Sequence, residues 1–142
     1  MWGIIIAIIS GILMSVQGVF NTQVTKVSGI WTSAAFVQAS ALVVCLVVWA
    51  FAERENLLSV FQVSPKYMLL GGVIGAFITI TVIKSMELLG PAKAVMLIVT
   101  AQIIMAYVIE LLGIWGADKQ PLEWRRLLGV AITIAGIIIF KF

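Results

Sequence analysis

Blocks such as "WGIIIAIISGILM" (residues 2–14) and "VAITIAGIIIF" (residues 130–140) offer no solvated face at either helical or strand period. A soluble domain of 142 residues interleaves polar positions with apolar ones, and this chain does not. Its composition, 63% hydrophobic and 11% charged, lies well outside the shares of a soluble domain. Lipid is therefore the expected solvent, and the chain is expected to be an all-α integral membrane protein.

Runs of about 20 mostly apolar residues, the length that crosses a bilayer as a helix, predict spans near residues 2–24, 30–52, 67–89, 92–115 and 125–142 of a single transmembrane domain. The breaks have local reasons. Gly29 and Gly90 suit helix ends, Pro91 fits the first turn of a helix, and Pro65 and Pro121 sit where no backbone donor is needed. The tryptophans Trp2, Trp31, Trp49, Trp115 and Trp124 all fall at proposed span ends, where indoles meet the headgroups. The amino terminus lacks a basic region ahead of its apolar run and an obvious cleavage site, so it reads as a span. The fifth span is marginal, because the uncharged run from Leu127 to Phe140 rises only ~21 Å. Four spans with an interfacial tail remain open as an alternative. Between the second and third spans, "NLLSVFQV" is too short to cross and is expected on the membrane surface.

Several chemistries are excluded by residue type. Histidine is absent and Cys45 is the single cysteine, so no disulfide, His/Cys metal cluster or Cys/His nucleophilic pair can form within one chain. No nucleophile with a base and no phosphate-binding loop is visible, so neither an enzyme nor a cofactor protein is expected. The nine basic residues form no basic face, which argues against nucleic acid despite the net charge of +3.

Those cations are informative about topology. With the amino terminus on side A, that side collects Arg54, Lys66, Lys119, Arg125 and Arg126, and side B collects Lys26, Lys84, Lys93 and Lys141. Five against four is almost no bias. An odd number of spans inverts the second copy of a tandem duplication, the arrangement of inverted-repeat transporters. A single five-span chain is then half a machine, and an antiparallel homodimer with inverted symmetry, or a pair with a paralogous second chain, completes it.

Polar residues inside the spans are the candidate site. Ser10, Met14, Gln17 and Asn21 follow one stripe of the first helix. Amides are costly against lipid, so Gln17 and Asn21 are expected to face other helices or a water-filled substrate pathway. Gln102, Ala106 and Glu110 form a shorter stripe in the fourth span. An acid within a span is a functional candidate by default, with an ion pair to Arg125 or Arg126 as its structural alternative. Gly71 with Gly75, Gly72 with Ala76, Ala35 with Ala39, and Gly129 with Thr133 have helix-packing spacing. The other conspicuous charges, Lys84, Glu87 and Lys93, cluster around one inter-span turn and read as boundary anchors or a pore mouth.

"SVQGVFNTQV", "LLGGVIGAF", "LLGPAKAV" into "TAQII", "ELLGIWG" and "RRLLGVAITIAGIII", in this order, resemble the short YdcZ-type bacterial inner-membrane proteins of the drug/metabolite transporter superfamily. The resemblance covers nearly the whole chain. It implies a multi-pass inner-membrane protein, a five-span half-transporter related to the ten-span EamA-type exporters and, more distantly, to small multidrug resistance proteins. It carries over Gln17 and Asn21 in "QGxxN", Gln102 in "AQ", and Glu110 before "xxG". Departures are the leucines of "ELLG", the charged "KSMELLGPAK" and the lack of the early first-span glutamate with which small multidrug resistance proteins bind cations. Cation and proton antiport are accordingly not carried over. The function expected is export of a small organic metabolite or amphiphile by alternating access. A dual-topology ion channel and a non-transporting accessory subunit are the competing classes.

Overall fold

The computed structural model describes residues 1–52 and 54–141, the side chain of Lys141 excepted. Glu53, Phe142 and the proposed side-B charge of Lys141 therefore lie outside the described residues. Among the described residues five long helices follow one another: α1 (Trp2–Ser28), α2 (Ile30–Ala52), α3 (Gly71–Leu89), α4 (Pro91–Leu112) and α5 (Trp124–Lys141). Two short 3-10 helices, Leu57–Gln62 and Lys66–Leu70, separate α2 from α3. There is no strand among the described residues.

Isoleucine and valine recur through α1 and α2 although β-branching lowers helix propensity. In lipid that preference is overridden, since an isolated segment satisfies all of its backbone groups only as a helix. Among the described residues, four helical segments are long and apolar enough to cross a membrane: Trp2–Ser28, Ile30–Ala52, Lys66–Leu89 and Pro91–Leu112. The fifth helix, with 18 residues and the cations Arg125, Arg126 and Lys141, is not among them.

Single residues set the ends. Gly29, at φ 81° and ψ 160°, donates to the Thr25 carbonyl at 2.9 Å and accepts from the Ser33 amide at 3.0 Å. It thus ends α1 and opens α2, and α1 runs four residues beyond its expected end at 24. Gly90 repeats the conformation at φ 79° and ψ 158°, ahead of Pro91 in the first turn of α4. Positive φ at both positions is easily reached only without a Cβ. Gly113, left-handed at φ 62° and ψ 40°, stops α4 at Leu112 rather than at the expected 115.

The contacts divide the chain into two compact units, Met1–Leu88 and Leu89–Phe142. In the first, α1 packs on α2, and α3 reaches both, with Met86 against Gly18 and Gln38 beside Gly75. In the second, α4 packs on α5. Buried apolar side chains are few: Ala34, Ile83, Met86 and Ala94 among the described residues. Nearly all the large apolar side chains point outward, an arrangement that is stable only where the surroundings are apolar too. A Cβ added at Gly71, Gly72 or Gly129 would meet nothing within 4 Å, so these small residues do not serve close packing within the chain. That role falls to Gly18.

Candidate functional site

The predicted stripe on α1 is an open face. Ser10, Met14, Gln17 and Asn21, joined by Leu13, Val16 and Phe20, line an open groove of about 550 Å³. Its walls are apolar apart from a hydroxyl and two amides, the proportion typical of sites that hold small organic molecules. Each amide offers two donors and an acceptor. Among the described residues, no hydrogen bond engages the side-chain amide of Gln17, Asn21 or Gln102. Gln17 is exposed in the groove, whereas Asn21 retains only 9% of its surface.

Asn21 stands on the seam between the groove and the interior of the first unit. Its backbone carbonyl accepts the Ser33 hydroxyl of α2 at 3.2 Å. Next to it, Thr22 donates to the Gly18 carbonyl at 2.8 Å, and Thr25 is buried with its hydroxyl unpaired among the described residues. Gly18 is the point of closest approach. A Cβ there would overlap Met86 Cε and lie 2.8 Å from Met86 Sδ. The missing side chain lets a thioether rest on the α1 backbone between the two amide positions. The α1 sequence gives no sign of Met86 or Ser33, since only the fold shows which α2 and α3 residues face the stripe.

Charge chemistry is concentrated in the second unit. Glu110 Oε2 accepts from Arg126 Nη1 at 2.9 Å, and Arg126 Nε lies 3.3 Å from Glu123 Oε2. One guanidinium thus serves two carboxylates, and of the two arginines proposed as partners for Glu110 the structure selects Arg126. All three side chains are 40–49% exposed. Gln102 is exposed on α4, about 12 Å of helix rise from Glu110. Lys84 and Glu87 pair at 2.8 Å within the last turns of α3, and Lys93 is exposed in the first turn of α4. Among the described residues, no three His, Cys, Asp or Glu side chains are grouped to hold a metal ion. The structure brings Gln17 together with Asn21 and Glu110 with Arg126. The two sets belong to different units.

Residues 2–139 match the family model described as "Putative inner membrane exporter, YdcZ". The chain belongs to this family. No curated protein and no solved structure matches it. With the family shown and four helices able to cross a bilayer, the chain is a multi-pass inner-membrane protein. The family points to a membrane transporter rather than to an enzyme.

Proposed function

We propose that the chain is one half of a secondary transporter that exports a small organic metabolite or amphiphile by alternating access. The observation that carries this reading is the α1 groove, in which two amides without hydrogen-bond partners among the described residues stand among apolar side chains. An amide in a lipid-embedded segment is costly unless another group satisfies it, and a substrate's polar groups supply that partner in turn with water. Gln17 and Asn21 are the principal hydrogen bonders in this proposal, and Gln102 is a further one on α4. The near balance of cations between the two faces supports an antiparallel pairing of two copies.

Glu110 enters with a cation already at its carboxylate. Its first role in the proposal is to tie α5 to α4, and service as a charge or proton site requires that pair to open. Lys84, Glu87 and Lys93 act as boundary anchors.

The test is counterflow in proteoliposomes with a panel of labelled amino acids, sugars and organic cations. Saturable exchange, lost in Gln17→Leu, is the expected result; flux at channel rates, or exchange indifferent to Gln17, overturns the proposal. Crosslinking of single-cysteine variants reads whether paired copies are antiparallel.

A further inference from the structure

Residues 54–70 join two membrane-crossing helices yet are far from polar. Leu58 and Phe61 are 66% and 62% exposed, and Leu57, Val60, Tyr67 and Leu70 are also more than half exposed. In a 3-10 helix, residues three apart eclipse one another. Leu57 therefore aligns with Val60, and Leu58 with Phe61, giving the Leu57–Gln62 helix two adjacent apolar rows. At a rise of about 2 Å per residue this helix is roughly 12 Å long, far short of the hydrocarbon thickness of about 30 Å. It cannot cross, and water is a poor solvent for it.

Both ends are fixed at the level where a span meets the headgroups. Trp49, in the last turn of α2, donates its indole N–H to the Glu55 carbonyl at 2.8 Å. Arg54 folds back so that its Nε donates to the Ala50 carbonyl at 2.8 Å. Asn56 caps the short helix by accepting from the Leu58 amide at 3.0 Å. At the far end Lys66 and Tyr67 open the second short helix, which leads directly into α3. An aromatic and a cation at each end match the composition of the bilayer interface. Between the two short helices runs an open cleft of about 440 Å³, lined by Val60, Val63, Met68 and Leu69 with Ser59.

We infer that residues 57–62 form an interfacial anchor, lying in the plane of the membrane with the Leu58/Phe61 row sunk to the acyl boundary and lipid chains filling the Val60/Met68 cleft. The flanks decide the occupant, because Trp49 with Arg54 at one end and Tyr67 with Lys66 at the other are the pairs that mark the lipid interface, and Leu57, Leu58, Val60, Phe61 and Val63 are exposed between them. The reading does not depend on transport.

Site-directed spin labelling of the full chain tests it, in vesicles of phosphatidylethanolamine and phosphatidylglycerol. Labels are placed on Leu58→Cys, Phe61→Cys and, as the polar control, Asn56→Cys, all in a Cys45→Ser background. The expected result is that the Leu58 and Phe61 labels favour collisions with dissolved oxygen over a water-soluble nickel complex by about threefold relative to Asn56, as for a segment buried ~5–10 Å below the headgroups. Equal nickel access at all three sites overturns the inference in favour of a solvated loop. Low access to both reagents at Leu58 and Phe61 overturns it in favour of cover by a second protein copy. The labelled side chains are outward-facing, so the fold survives the substitutions, and unchanged thermal unfolding of each variant verifies this.

Discussion

The α1 stripe and the Glu110 site handle polarity in opposite ways. In Met1–Leu88 the α1 amides stand without partners beside a glycine that a neighbouring side chain touches, whereas in Leu89–Phe142 the acid Glu110 is already neutralised by Arg126. Within a bilayer, a polar group paired in its own chain is explained by stability, and one left unpaired asks for another partner. The contrast locates the transport hypothesis on α1 and makes α4–α5 the charged clasp.

The largest effect that breaks this contrast is Gly18→Leu. Its side chain has to displace Met86, and overpacking is expected to lower unfolding stability by about 3 kcal/mol, measured by denaturation in detergent. Met86→Ala in the same chain is expected to recover part of the loss; no recovery would show that the Gly18 contact is not what holds α3. Next comes Gly113→Ala, which forces a Cβ into the left-handed region and to within 2.8 Å of Lys119 Cβ. The expected cost is about 2 kcal/mol, confined to the second unit and visible as faster hydrogen exchange at the end of α4. Transport of the first unit's substrate is sharpened by Gln17→Leu, for which a loss of exchange of about tenfold, or 1.4 kcal/mol, is expected with unfolding unchanged.

The smallest effect is that of Glu110→Gln. An ion pair this exposed contributes about 1 kcal/mol or less, so thermal unfolding should shift slightly and exchange should persist. Exchange abolished at unchanged stability would move Glu110 from the clasp to the pathway. Reversing the pair as Glu110→Arg with Arg126→Glu should restore only part of the stability that either single change removes, because Glu123 loses its guanidinium partner.

Much of the fold is legible without coordinates because a bilayer leaves a helix little alternative. The runs of Ile and Val mark the helices, and Gly29 and Gly90 with Pro91 mark ends, whereas the stop of α4 at Gly113 falls short of the expected 115. Residues 67–70 read as part of the third span, yet they form 3-10 turns before α3 begins at Gly71. Hydropathy reports the solvent there and not the pitch of the helix. The same limit applies at the site. Helical spacing places Ser10, Met14, Gln17 and Asn21 on one face, and they line one groove. Spacing is silent about partners on other helices, which is why the Ser33 hydroxyl on the Asn21 carbonyl and the choice of Arg126 over Arg125 emerge only from the fold.

The turn at Gly29 has a mechanical meaning. A single residue separates α1 from α2, with its N–H committed to one helix and its carbonyl to the other. Such a joint contains no slack. Tilting the groove-bearing helix therefore drags its successor with it, and the pair works as one crank whose pivot is a glycine.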